Sequence, residues 1–241
     1  MPMAPPRFFV DTPLAQAAHA FTLPAGAARH VQVLRLQPAD ALTLFDGRGG
    51  EWSATVAAIG RSRVEVVLGA HQAVERELGC AVTLALGMPA NDRMDTLVEK
   101  ATELGVATIQ PLLCARSVLK LAGERAAKKV AHWQAVAVAA AEQSARTRVP
   151  RVAPVCRYAD WQPDAAATRW LLDARAPTRF APAAGVASAL VLSGPEGGFV
   201  GDEETRARAL GFVAVNLGAR ILRADTAPLA ALAALALACA S

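Results

Sequence analysis

From Cys80 to the end, short apolar runs alternate with amphipathic or alanine-rich segments. The runs are "CAVTLALGM", "VATIQPLLC", "RWLLDA", "ALVLSG" and "FVAVNLG". Between and after them come "NDRMDTLVEKATELG", "AAKKVAHWQAVAVAAAEQSAR", "GDEETRARALG" and "DTAPLAALAALALACA". A strand with one wet face alternates polar and apolar residues; these runs do not. They suit strands covered on both faces, and the interleaved helices supply the cover, so the pattern predicts an α/β fold with a parallel sheet. The first helix shows its logic. A cap is expected at Asn91 or Asp92. Leu97, Val98, Ala101 and Leu104 share one face, and Gly105 ends the helix. Pro228 sits near the start of the last helix, where its missing N–H costs nothing.

Residues 1–70 read differently, as short strands. "ALTLFDGRGGEWSATVAAI" (Ala41 to Ile59) is two strand-like runs around Asp46-Gly47-Arg48-Gly49-Gly50, a hairpin signal. "RVEVVLG" (Arg63 to Gly69) continues the pattern and "RFFV" (Arg7 to Val10) begins it. A small β-barrel or sheet is expected, with polar "HQAVERELG" (His71 to Gly79) as the boundary.

Composition narrows the setting. At 241 residues the chain suits one large domain or two unequal ones. The longest apolar stretch, Pro228 to Ala240, is too short to span a bilayer. "MPMAPPRFFV" lacks the apolar core of a secretory signal. Cys80, Cys114, Cys156 and Cys239 form no C-x-x-C pair and have no nearby His. Free thiols, no metal and a reducing cytoplasmic setting are therefore expected. The net charge is +4 and arginine greatly outnumbers lysine. That permits an RNA partner, although GC-rich coding would give the same bias.

Ligands of parallel sheets bind beyond the carboxyl ends of the strands. Three loops leave such ends: "LLDARAPT" from Leu171, "SGPEGGF" from Ser193 and "NLGARILRADTA" from Asn216. The second puts three glycines, a proline and a glutamate into six positions, more than a chain reversal needs. Glycines let a ligand lie against bare backbone. The alternative is a plain strand-to-helix turn with Glu196 as the acid at the helix start. Neither G-x-x-x-x-G-K-[ST] nor G-x-G-x-x-G occurs, and Glu196 would repel a phosphate. A cationic ligand such as S-adenosylmethionine suits the loop better. In the third loop Arg220 and Arg223 lie three apart beside Asp225. They are ligand-facing or else salt-bridged to Asp225 or Glu196.

"SGPEGGF" followed by "LGARILRADTA" resembles the SPOUT class of methyltransferases. The whole chain is similar to the RsmE family, which methylates N3 of a uridine in 16S ribosomal RNA. "RFFV", "HVQVLRL", "LFDGRGGEW", "EKATELGVATIQPLLCARSV" and "WQAVAVAAAEQSARTRVPRV" follow the family's order. Two departures are Asp225, where the family usually has Glu, and Arg93-Met94-Asp95, where a Lys-Met-Glu type pattern is commoner. The resemblance implies a PUA-like, RNA-holding barrel over 1–72. It implies a SPOUT methyltransferase domain over 73–241 with a C-terminal trefoil knot, which strand patterning does not reveal. It also implies S-adenosylmethionine held by Leu172 and Ala174 of the first loop, Gly194, Glu196 and Gly197 of the second, and Leu217, Gly218, Ile221 and Leu222 of the third.

Uracil N3 is a poor nucleophile until its proton leaves, and the anion's charge then spreads to O2 and O4. An arginine stays charged at any working pH, so Arg223, next to "IL", is the candidate for stabilising that anion. The proton acceptor is open among Asp225, Glu196 and solvent. Arg7, Arg29, Arg35, Arg146, Arg148 and Arg220 are candidates for RNA contact. The expected partners are 16S ribosomal RNA in the small subunit and a second copy of the chain, through the uncharged last helix. Another RNA target, a ribose 2′-OH target and a non-catalytic RNA binder are the alternatives.

Overall fold

The computed structural model describes residues 5–163, 168–183 and 185–239, without the side chains of Asn91 and Asp92. The chain forms two compact units, Met1–Glu77 with Ala141–Val149, and Leu78–Ala140 with Pro150–Ser241.

The first unit holds a five-stranded sheet in the order β1-β3-β4-β5-β2. Its strands are β1 (Arg7–Phe9), β2 (Ala20–Thr22), β3 (Ala41–Phe45), β4 (Glu51–Ile59) and β5 (Val64–Gln72). β3 and β4 form the hairpin expected around Asp46 to Gly50, antiparallel from Ala41↔Thr55 to Leu44↔Trp52. Gly47, Gly49 and Gly50 all have positive φ there, which side chains with a Cβ resist. β1 joins parallel to β3.

Two features differ from the strand-only expectation. Helix α1 (Ala25–Val33) follows Pro24, and its Ala27, Ala28 and Val31 are buried with Phe8, Leu44 and Val66 in one core. The i, i+1, i+4 spacing of those three residues is helical, but alanine and glycine around it mute the signal. β5 also runs on through His71 and Gln72, because Trp52 and Glu51 of β4 pair with them.

The second unit is built on a seven-stranded sheet in the order β12-β10-β11-β6-β7-β8, with β9 beside β7. The strands are β6 (Ala81–Gly87), β7 (Thr108–Leu113), β8 (Arg151–Val152), β9 (Cys156–Arg157), β10 (Thr168–Leu172), β11 (Ser188–Ser193) and β12 (Val213–Val215). Every pairing described in it is parallel. The helices are α2 (Asn91–Glu103), α3 (Gly123–Gln143, its last turn lying in the first unit), α4 (Gly201–Ala209) and α5 (Thr226–Ala238). The apolar runs are buried as expected: Val82, Leu84, Val191 and Leu192 are fully so. On α2, Leu97, Val98 and Ala101 are buried, and Gly105 ends the helix at φ +91. The cap expected at Asn91 or Asp92 falls on side chains outside the described ones.

The tripeptide Arg93-Met94-Asp95 also acquires a reason. Met94 is in the core. Asp95 accepts hydrogen bonds from Trp133 Nε1 at 2.9 Å and lies 2.7 Å from His132 Nε2, tying α2 to α3. β8 and β9 were not foreseen; two-residue strands carry no periodicity to read.

No described helix is long and apolar enough to cross a membrane. Described His, Cys, Asp and Glu residues form no group able to hold a metal. Burial raises the Cys80 and Cys114 thiols to about 12, so neither is a ready nucleophile.

Candidate active site

β12, β10 and β11 are neighbours in the second unit and all point the same way. The loops that follow them therefore leave one edge of the sheet together. They line a cavity of about 500 Å³, within the range of small-ligand sites.

The second loop is rigid for local reasons. Gly198 N–H donates to Pro195 O at 2.8 Å, closing a turn, and Gly198 has φ +70. A Cβ on Gly194 would lie 3.2 Å from the Phe199 ring. One on Gly197 would lie 3.0 Å from Arg116 Cβ and 3.1 Å from its Cδ, and Arg116 Nη1 donates to Gly197 O at 2.8 Å. The glycines thus admit Phe199 and Arg116 as well as leaving backbone bare. Gly87, at the end of β6, is tighter still: a Cβ there would meet Pro195 Cδ at 2.4 Å.

Glu196 clips the loop to α2. Its Oε1 accepts the Ala90 N–H at 3.1 Å and lies 3.8 Å from Arg93 Nη1. It is an acid at a helix start, but of α2 rather than α4. The start of α4 is served by Glu203, whose Oε2 accepts Val200 N–H at 3.0 Å. Since Arg93 partly neutralises Glu196, the preference for a cationic ligand inferred from its charge loses force.

Asn216 joins the first and third loops. Its Nδ2 donates to Ala176 O at 2.8 Å and Thr178 O at 3.1 Å, while its Oδ1 accepts Gly218 N–H at 2.9 Å. Gly218 takes φ +106 to make that bend. In the first loop, Arg175 holds Asp173 at 3.0 Å and Glu204 at 2.5 Å. Burial alone would raise the Asp173 carboxyl, but hydrogen bonds from the Arg175 side chain and backbone outweigh it and leave the group below its ordinary value.

The expected cofactor residues converge. Leu172, Ala174, Gly194, Glu196, Gly197, Leu217, Ile221 and Leu222 all line the cavity; Gly218 does not. Ile221 is 88% exposed, an apolar side chain on the cavity wall. Arg220 and Arg223 also line the cavity, and both are exposed. The described residues show no side-chain partner for either, so the proposed salt bridges to Asp225 or Glu196 are not made. Asp225 is off the cavity wall, and its Oδ1 is buried without a hydrogen-bond partner.

The arginines assigned to RNA fare unequally. Arg7 is ion-paired with Glu51 and donates to Arg146 O at 2.9 Å. Arg146 is 4% exposed, and its Nε donates to Glu77 at 3.0 Å. Both guanidiniums lie inside the first unit, which corrects their assignment as surface contacts. Arg148 is half exposed and 3.2 Å from Glu75. Arg29 and Arg35 are exposed. Missed from the sequence were Arg93, Arg116, Asp173 and Arg175 on the cavity wall. Arg116 lies some eighty positions before Gly197, and no local pattern links them.

An RNA methyltransferase domain matches residues 76–236 and an RNA methyltransferase PUA domain matches 23–69. The chain belongs to the ribosomal RNA small subunit methyltransferase E family. Family members so named are 34% identical in Synechocystis, over 88% of this chain and 71% of the relative, and 31% identical in Bacillus subtilis, over 95% of each. The methyltransferase E crystal structure from Neisseria gonorrhoeae, bound to S-adenosyl methionine, superposes with TM-score 0.87 at 36% identity, covering 96% and 97% of the two chains. A Legionella pneumophila methyltransferase with bound cofactor SAM gives TM-score 0.89 at 28% identity over 97% of each. As in this methyltransferase family, the chain joins a PUA-type domain to a parallel-sheet α/β domain.

Proposed function

We propose that the protein is an S-adenosylmethionine-dependent methyltransferase that modifies N3 of a uridine in 16S ribosomal RNA. The observation that carries this is the cavity where the three loops meet. Its apolar side chains, Leu172, Leu217, Ile221 and Leu222, suit the flat adenine, and the Gly194 to Gly198 backbone lies bare beside them. Bound there, the cofactor supplies an electrophilic methyl group on a sulfonium.

The chain's own part is binding, orientation and charge. The loops fix one partner against the other, which removes much of the entropic cost of the encounter. Arg223 lines the cavity and has no side-chain partner among the described residues, so it can hold the negative charge that develops on uracil O2 or O4 once N3 loses its proton. Glu196 is occupied by α2 and Arg93, and Asp225 stands off the wall, so proton transfer to solvent fits this geometry best.

The reading includes a homodimer. α5 buries Ala231, Leu232 and Leu235 in its own unit but leaves Leu237 83% exposed. Leu237→Glu should lower the mass seen by light scattering while leaving the fold intact. A wild-type monomer with full activity would rule the dimer out. Leu232, fully buried, would report on folding instead.

The activity is tested on small subunits from a strain lacking the gene. Purified protein and labelled cofactor should yield 3-methyluridine on nucleoside analysis of the 16S RNA. Label appearing in 2′-O-methylated nucleosides, or in none, would overturn the assignment.

A further inference from the structure

We infer that Arg116 binds a backbone phosphate of the substrate RNA, beside rather than at the target nucleotide. The inference rests on the RNA-methylating function proposed above.

The cavity wall carries five arginines against three carboxylates, a net of +2. The carboxylates all have protein partners. Asp173 and Glu204 are held by Arg175, and Glu196 by Ala90 N–H and Arg93. Arg220 and Arg223 have no acidic partner among the described residues. Among the same residues Arg116 has a neutral one, the Gly197 carbonyl at 2.8 Å. That bond uses a single N–H of a guanidinium carrying five, and the residue is exposed. Its remaining donors form a fork suited to a phosphodiester.

The residue is also held in place, which a solvated surface arginine is not. Cys114 N–H donates to Ser117 Oγ at 3.0 Å and Ser117 N–H to Cys114 O at 3.1 Å, closing the turn that carries it. Ala115 N–H donates to Glu203 Oε1 at 2.8 Å. The side-chain stem then runs along Gly197, where a Cβ would collide with it.

Position argues for a flanking phosphate. Arg116 follows β7, while Arg220 and Arg223 follow β12, with β10, β11 and β6 between. Four strand steps of about 4.8 Å separate the two strands, roughly 19 Å. The Arg116 side chain reaches from the β7 side over Gly197 of the loop after β11, so it flanks the cavity, where an RNA strand lying along the sheet edge can meet it.

The test compares wild type, Arg116→Met and Arg116→Lys. A 16S transcript is titrated at several salt concentrations, and S-adenosylmethionine affinity is measured by calorimetry. Removing one phosphate contact should weaken RNA binding and flatten the log–log salt dependence by about 0.7 to 0.9. Lysine should restore most of that slope; cofactor affinity is followed separately because Arg116 also holds Gly197 of the loop proposed to bind the cofactor. A methionine variant with the wild-type salt slope overturns the inference, whether or not its cofactor affinity falls. The slope is read from binding alone. Loss of methyl transfer in the wild type would sink the activity and leave the Arg116 result standing on its own.

Discussion

Two sets of arginines in this chain look alike in the sequence and behave oppositely in the fold. In the first unit, Arg7, Arg76 and Arg146 are committed to Glu51 and Glu77. At the cavity of the second unit, Arg220 and Arg223 meet no carboxylate among the described residues. The first set keeps buried acids paired. The second leaves positive charge where an anion can reach it. An arginine-rich composition is therefore two different things here, and burial with a partner decides which.

The largest expected effect that would break this contrast is on stability. Arg146→Met leaves Glu77 without its main partner in a largely buried site. Breaking such a pair costs about 3–5 kcal/mol; urea unfolding that shows almost no loss would make Arg146 available for RNA after all. Next is Arg223→Ala. It should slow single-turnover methyl transfer by about 100- to 1000-fold, with unfolding unchanged because nothing in the fold depends on it. A normal rate would remove Arg223 from the chemistry.

A smaller effect separates the two ways a glycine serves the second loop. Gly87→Ala drives a methyl against Pro195 Cδ and backbone N, at 2.4 and 2.6 Å. Overpacking of this kind costs about 1–3 kcal/mol, and cofactor affinity by calorimetry should fall with it. Gly197→Ala meets Arg116 Cβ and Cδ at 3.0 and 3.1 Å, a looser contact, and should be milder. Equal losses would mean that the ligand, not Arg116, fills the space over Gly197.

The smallest effect is a pH dependence. The hydrogen bond from Arg76 is the largest influence on Glu51. With Arg7 it outweighs burial and holds the carboxyl below its ordinary 4.5. A depressed carboxyl stabilises the fold above its unfolded pKa and loses that contribution as pH falls through its folded one. Stability should therefore drop below pH 4.5, and Glu51→Gln should flatten the acid limb of a melting-temperature profile. An unchanged limb would mean that the Arg7–Glu51–Arg76 cluster is not what acid disrupts.

Much of the site was readable because it is built from loops of unusual local composition. "SGPEGGF" and "LGARILRADTA" stand out against a chain of alanines, and nearly all their expected residues reach the cavity. The readings that failed depended on partners. The charge of Glu196 pointed to a cationic ligand until Arg93 partly neutralised it, although Glu196 itself does line the cavity. Arg146 looked like a surface charge until Glu77 enclosed it. Helix α1 was hidden because two of its three buried residues are alanines, which give little apolar contrast, and Gly26 lowers its helix propensity.

By itself the sequence determined the alternation that demands a covered parallel sheet, the hairpin around Gly47 to Gly50, and the three loops at the strand ends. These follow from short-range rules: periodicity, glycine's freedom at positive φ, and the reach of neighbouring residues. Only the tertiary structure decided which charges are neutralised. An ion pair needs a few ångströms of approach between groups such as Arg93 and Glu196, far apart in the chain, and strand order β12-β10-β11-β6-β7 is what sets those distances.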